Sequence, residues 1–146
     1  GCPAKPDHSQ GYVWPVYDSF DIVRRDASGT TTPWNPAPGY DAEATTCMKD
    51  GRVVFTSTRN GDLDLYVANA DGSGLRQLTD GPWDDIEPTY LPDGGIMFCS
   101  TRCGRWIGCW LAESATLYRC EADGRNIRMV SSGSFTENTA CCPRVR

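Results

Sequence analysis

The chain is poor in the residues that most catalytic and nucleic-acid-binding sites need. It has one histidine, His8, and two lysines against twelve arginines in 146 residues. His8 sits in a polar leading segment, so a Ser-His-Asp or Cys-His arrangement would have its single base in the wrong place. The arginines are scattered among acids and the net charge is −5, which argues against nucleic acid and against an anionic membrane surface. No apolar run approaches the ~18 residues of a membrane span, so no transmembrane segment is expected. No glycine-rich phosphate loop opens a helix. Cys99-x3-Cys103-x5-Cys109 lacks a paired zinc knuckle, and Asp62-x-Asp64 with Asp71-Gly72-Ser73 lacks the full calcium loop. No cofactor and no metal are expected. The chain starts without Met and without a charged segment leading into an apolar one, so it reads as mature or truncated.

Cysteine, in contrast, is abundant. Eight in one chain favour an oxidising compartment and some disulfides, with connectivity not readable from spacing. Cys103 and Cys109 bracket the short glycine-containing stretch CGRWIGC and are the disulfide candidates. The opening Gly1-Cys2 has two readings. One is a lipidated Cys2, as at the start of a mature bacterial lipoprotein; the other is an ordinary disulfide cysteine.

The most informative feature is a segment that occurs twice. Tyr40–Gly81 contains DGRVVFTSTRNGDLDLYVANADGSGLRQLTDG, and Asp85–Gly133 contains DGGIMFCSTRCG, an insert, and ATLYRCEADGRNIRMVSSG. Self-similarity at a period of about 40 residues in strand-rich sequence marks a propeller-type array. The first copy parses into strands at Glu43–Cys47, Val53–Thr58, Asp64–Ala68 and Leu75–Thr79. The turns between them hold Asp50-Gly51, Asn60-Gly61 and Asp71-Gly72. Three consecutive hairpins give a four-stranded antiparallel blade. Val53-Val54-Phe55 and Ile96-Met97-Phe98 fail to alternate, as expected for sheets buried on both faces.

The expected fold is all-β: two four-stranded antiparallel β-propeller blades plus partial flanking blades. It is a propeller left partial or completed by oligomerisation. Residues 1–15 form an irregular lead-in, 16–39 a partial first blade and 40–83 a blade. Residues 84–135 form a blade with an insert at about 104–114, and 136–146 either begin a further blade or form an aberrant tail. Within that tail, Ala140-Cys141-Cys142-Pro143-Arg144 replaces the Leu-Pro-Asp-Gly expected of the repeat. Reading its codons from the third base restores a Leu-Pro motif, so the last seven residues are expected to be a frame-shifted end of a longer gene.

The residues YDAEAT and DGRVVFTSTRNGDLDLYVANADGSGLRQLT closely resemble the TolB-type, WD-like β-propeller repeat of bacterial periplasmic and secreted proteins. The likeness runs over roughly 17–139 and is strongest over 40–81 and 85–133. LYRCEADGRNIRMVSSG also looks like propeller repeats of hydrazine synthase α-subunit-type proteins. The chain lacks their C-x-x-C-H haem motif, so any haem function would lie outside it. The TolB-type resemblance implies a non-catalytic, extracytoplasmic propeller, whether periplasmic, secreted or at the cell surface, that binds proteins through one end of its channel. A closed propeller uses about 4–8 blades, more than this chain supplies.

Two sets of residues are candidates for binding. Antiparallel pairing brings the start of strand one beside the end of strand two, which places Asp41 and Glu43 near Arg59, and Asp85 and Glu87 near Arg102. This is either a polar rim site or a set of structural ion pairs. The second reading is favoured because residues encoded by every repeat serve the repeat. The insert carries Trp106 and Trp110, which are either interface anchors, or a hydrophobic plug over the blade or an extra helical turn. The expected partner is a protein or copies of this chain. Three functions remain open: a binding or scaffold module that is not an enzyme, a self-assembling protein, and an accessory domain of a larger secreted enzyme or redox protein.

Overall fold

A computed structural model describes residues 16–18, 20–105 and 113–131. A hairpin of β1 (Val23–Arg25) and β2 (Thr31–Pro33) precedes two sheets. The first sheet comprises β3 (Asp41–Thr46), β4 (Val53–Ser57), β5 (Asp64–Ala68) and β6 (Arg76–Gln77). The second comprises β7 (Asp85–Tyr90), β8 (Ile96–Ser100), β9 (Thr116–Cys120) and β10 (Arg128–Met129). In both sheets the strands lie side by side in chain order and every pair is antiparallel. The only helical element among the described residues is a 3-10 turn, Thr101–Cys103. No helix there is long and apolar enough to cross a membrane.

Local chemistry explains the turns. Asp50 accepts the N–H of Arg52, and Asp123 that of Arg125, at 3.1 and 3.0 Å. Asp71 accepts both the N–H and the hydroxyl of Ser73, at 3.0 and 2.7 Å. These bonds close Asx turns and leave the following glycine to take positive φ. Gly124 has a second constraint, since a Cβ there would collide with the carbonyl oxygen of Leu78 in the preceding sheet.

The two end strands differ from their sequence-based limits. β3 starts at Asp41, ahead of the expected Glu43, because Asp41 and Ala42 pair with Ser57 and Thr56 before a bulge interrupts the ladder. β6 stops at Gln77 because the Thr79 hydroxyl, in place of a backbone carbonyl, accepts the Leu65 N–H at 2.9 Å. The hairpin corresponds to the last two strands of a sheet. Trp34 N–H donates to Ile22, Leu78 N–H to Leu65 and Val130 N–H to Leu117, at 2.8, 2.7 and 2.8 Å.

The core lies between these layers. Val54, Leu65, Val67 and Leu78 of the first sheet pack on Ile96, Phe98, Tyr118 and Cys120 of the second. On the other side of the first sheet, Phe55, Tyr66 and Ala68 pack on Trp34, with Ile22 and Val53 at the margin. β4 and β5 are therefore covered on both faces, which is why their sequences do not alternate. In each sheet a Phe on the second strand stands opposite a Tyr on the third: Phe55 with Tyr66, and Phe98 with Tyr118. Both pairs face the preceding layer.

Phe98 is 1% exposed and Met48 is 95% exposed. Phe98→Ala is expected to lower stability by about 3–5 kcal/mol through lost transfer energy and a cavity. Met48→Ala should stay within about 0.5 kcal/mol of the parent. Urea unfolding followed by tryptophan fluorescence measures both.

Candidate functional site

The triplet Ser-Thr-Arg follows the apolar run in both copies, as Ser57-Thr58-Arg59 and Ser100-Thr101-Arg102. Each residue has the same task in both places. The serine hydroxyl accepts the arginine N–H, at 3.2 Å in both sheets. The threonine exchanges two bonds with the residue that precedes the first strand. Tyr40 N–H donates to Thr58 Oγ1 while Thr58 N–H donates to the Tyr40 carbonyl, both at 2.9 Å. Asp84 and Thr101 do the same at 3.0 and 3.2 Å. The arginine then turns back to the aspartate that opens the sheet: Arg59 to Asp41 at 3.0 Å, and Arg102 to Asp85 at 2.6 Å.

Each clamp also reaches the preceding layer. Asp41 N–H donates to the Phe20 carbonyl and Asp85 N–H to the Leu63 carbonyl, at 2.9 and 2.8 Å. Arg59 donates to the side-chain and backbone oxygens of Asn35, both at 3.3 Å. Arg102 donates to the Asp80 carbonyl at 3.3 Å. The guanidinium groups lie over aromatic rings, Arg59 at 5.0 Å from Tyr66 and Arg102 at 4.5 Å from Trp83. Arg102 meets Asp85 through two nitrogens. Arg59 meets Asp41 through one, because its other donors serve Asn35 and Ser57.

The glutamates take a different path from the one expected. In a regular strand Glu43 would lie on the same side as Asp41 and reach Arg59. Instead, two residues of β3 (Glu43 and Ala44) stand opposite one of β4 (Phe55), a β-bulge, and Glu43 has φ +60°. Glu87 repeats this with φ +53° in the bulge between Ile86 and Thr89. A non-glycine residue there costs of order 1–3 kcal/mol and persists only where its surroundings over-determine it. Glu43 is so held. Tyr40 and Thr56 hydroxyls donate to its carboxylate at 3.1 and 2.7 Å, and the backbone N–H of Glu87 donates to it at 2.7 Å. The bulge thus aims a carboxylate of one sheet at the bulge of the next.

Sequence reading did not anticipate a buried polar row beside the clamps. Asp41, Ser57 and Asp64 are cross-strand neighbours, as are Asp85, Ser100 and Thr116, and all six are buried. The repeated Ser-Thr-Arg was the available signal. Asp64 accepts from Asn60, Gln77 and Thr79 at 2.7, 3.1 and 3.1 Å, yet burial still pushes its carboxyl above the ordinary range. Asp84 is raised too, first by burial and then by the charges of Asp62, Glu113 and Asp85.

The remaining candidates divide between described and undescribed residues. Cys47, Cys103 and Cys120 are unbridged and the Cys99 thiol donates to Glu87 at 3.7 Å, so the disulfide expectation is not met among the described residues. Cys103 turns to the Ser114 carbonyl, to which its Sγ donates at 3.0 Å. Burial pushes the Cys120 thiol up to about 12. Cys2, His8, Trp106, Cys109 and Trp110 lie outside the described residues. The stem of the insert is described: Ser114 N–H donates to the Arg105 carbonyl at 2.7 Å, just beyond the second clamp. Among the described residues no group of His, Cys, Asp or Glu converges to hold a metal. An open groove of about 370 Å³ lies between the sheets at the Asp-Gly turns. Its charges are largely compensated within it, with Arg52 on Asp50 and Arg119 on Asp93 at 2.7 and 2.8 Å.

Successive four-stranded antiparallel sheets, stacked face to face and laced by a repeated clamp, define a β-propeller that this chain leaves unclosed. Comparison with known proteins specifies its type. No family model matches the chain. The Tol-Pal system protein TolB of Anaeromyxobacter dehalogenans (strain 2CP-C) is 46% identical over 39 residues, 27% of this chain and 9% of that protein. The TolB homolog of Chlorobium luteolum is 38% identical over 56 residues, 38% of this chain and 13% of that protein. The uncharacterized peptidase YuxL of Bacillus subtilis is 29% identical over 90 residues, 60% of this chain and 14% of that protein. Among solved structures, a putative TolB from Agrobacterium tumefaciens superposes with TM-score 0.62 at 23% identity, covering 75% of this chain and 40% of its own. TolB from Acinetobacter baumannii gives 0.56 at 18%, covering 76% and 26%. The blades are of the TolB propeller type. The chain spans 9–14% of the length of these curated relatives.

Two predictions follow the geometry. Arg102 and Asp85 are 13% and 0% exposed, so Arg102→Ala leaves a buried charge. It is expected to lower stability by about 3–5 kcal/mol. Arg102→Lys should recover only part of this, since an ammonium cannot serve Asp85 through two nitrogens and Asp80 together. Denaturant midpoints decide it. Asp84 binds its proton more tightly folded than unfolded, so its contribution is present at low pH and lost as pH rises through its raised folded value. Asp84→Asn should therefore raise the thermal midpoint at neutral pH, with the gain shrinking below pH ~4.

Proposed function

We propose that this chain is a non-catalytic, extracytoplasmic propeller module that binds a protein partner at the end of the blades carrying the insert. The observation that carries this is the contrast between the two sheets. Their repeated charges are engaged in equivalent clamps, whereas the connection between Arg105 and Ser114 has no counterpart in the first sheet. An insertion in a repeat array maps to a loop on one face, often the binding face. On this reading Asp41, Glu43, Arg59, Asp85, Glu87 and Arg102 join blades, and Trp106 and Trp110 supply the contact. Aromatic residues with an adjacent arginine, here Arg105, are typical interface anchors. The likeness to Tol-Pal system proteins supports an extracytoplasmic setting.

A second reading, an accessory blade region of a larger enzyme, is favoured by the likeness to YuxL and to the tricorn protease, the latter at TM-score 0.56 and 17% identity. Capture and turnover together test the first reading. The chain is immobilised and partners from the envelope fraction of its source cell are captured and identified. The double variant Trp106→Ala/Trp110→Ala is expected to reduce capture at least about tenfold without moving the unfolding midpoint. Unchanged capture would refute the insert as the contact, and turnover of peptide or ester substrates by the purified chain would refute a non-catalytic module.

A further inference from the structure

Asn60-Gly61 lies in the turn between β4 and β5 and differs from the Asp-Gly turns in what its side chain does. Both residues are exposed, and nothing stands within 4 Å of where a Cβ on Gly61 would lie. The Asn60 carboxamide reaches inward. Its Nδ2 donates to the Asp64 carboxylate at 2.7 Å, and its Oδ1 accepts the Asp62 N–H at 3.3 Å. Asp64 is fully buried, with Gln77 and Thr79 as its other side-chain donors. Burial pushes its carboxyl up, the charges of Asp85 and Asp62 add to this, and the Asn60 hydrogen bond works against it. The second sheet has neither member of the pair: Cys103 stands at the place of Asn60 and Thr116 at that of Asp64.

We propose that Asn60 is a deamidation site of the folded chain, and that its conversion sets a second carboxylate against Asp64 and so weakens the first sheet beside the Arg59 clamp. A glycine after asparagine leaves the backbone nitrogen open to approach the side chain. The Gly61 nitrogen gives up its proton and attacks Asn60 Cγ. A new N–Cγ bond forms, the Cγ–Nδ2 bond breaks, and ammonia leaves with the proton. Water then opens the cyclic imide. Cleavage at Cγ leaves aspartate; cleavage at the backbone carbonyl leaves isoaspartate, which adds a methylene to the main chain. Two native bonds slow the reaction without abolishing it. Gly61 N–H donates to the Thr58 carbonyl at 2.8 Å, and Asp64 holds the carboxamide. An exposed turn opens locally at far less cost than the whole sheet. The other described asparagines are less susceptible. Asn35 precedes Pro36, which has no N–H to give up, and the side chains of Ala70 and Ile127 crowd the nitrogen that would attack Asn69 or Asn126. In the product Asp64 loses a donor and gains a like charge, with no water at hand to replace the lost bond.

The 146-residue protein is incubated in mildly alkaline buffer, folded and in urea, and its peptides are mapped by tandem mass spectrometry. This locates each amide-to-acid conversion and separates aspartate from isoaspartate. The folded protein is expected to convert Asn60 ahead of Asn69 and Asn126, and more slowly than the unfolded chain does. Conversion of Asn60 no faster than of Asn69 or Asn126 in the folded protein would overturn the site. The consequence is read on two variants. Asn60→Asp carries the product's side chain and suits the same turn, and Asn60→Ser removes the amide without adding a charge. In urea unfolding at neutral pH, Asn60→Asp is expected to have a lower midpoint than Asn60→Ser, with its folding equilibrium shifted at least about tenfold towards the unfolded state relative to the parent. Equal midpoints for the two variants would overturn the opposition to Asp64.

Discussion

The backbone N–H of the aspartate that opens each full sheet points away from its own sheet and into the layer before it. Asp41 donates to Phe20 and Asp85 to Leu63. A buried N–H without a partner would be costly, so this one bond fixes where each sheet must stand relative to its predecessor. The rest of the clamp holds the aspartate in place to make it. Threonine pins the residue before the aspartate, serine pins the arginine, and arginine closes on the carboxylate while gripping the preceding layer. Only with this registration do the apolar faces meet, Val54 and Leu65 against Phe98 and Tyr118.

Such an interface is polar at one end and apolar along its length, and the two parts differ in what they contribute. The apolar faces supply most of the favourable free energy, roughly 1.5–3 kcal/mol for each large side chain fully removed from water. The buried ion pairs contribute little net stability, since desolvation offsets much of their attraction. Their strength is in excluding alternatives, because a shifted sheet would leave Asp85 and Arg102 buried apart. The glutamate bulge works in the same direction. Its left-handed backbone is unfavourable alone, and at Glu43 it is offset by three hydrogen bonds, one of them to the next sheet.

Much of the fold was legible because the repeat writes it twice. The Asp-Gly turns demand positive φ, the β-branched and aromatic runs demand burial, and Asp64–Ala68 has the limits read from sequence. The pairing of Asp41 with Arg59 and of Asp85 with Arg102 followed from antiparallel geometry alone. The bulge was not legible, since nothing about Glu43 or Glu87 advertises a left-handed backbone. With it went the expectation that these glutamates join the arginines. The buried row of Ser57 and Asp64 escaped for a related reason. Polar residues in a strand read as solvent-facing until a second sheet is known to lie over them. The burial of Cys47, Cys99 and Cys120 was not legible either, since the number of cysteines does not distinguish a paired thiol from one that fills a buried position as a small group.

The central claim is that the two sheets form one cooperative unit tied through the opening residues of the second. Residue-resolved hydrogen exchange of the Asp85 and Glu87 amides tests this directly. The account predicts that both exchange as slowly as Val54 and Leu65 in the middle of the first sheet, so that all four open only with global unfolding. Exchange of Asp85 and Glu87 at the rate of exposed turn amides such as Gly61, while Val54 and Leu65 stay protected, would show that the sheets separate freely and would contradict it.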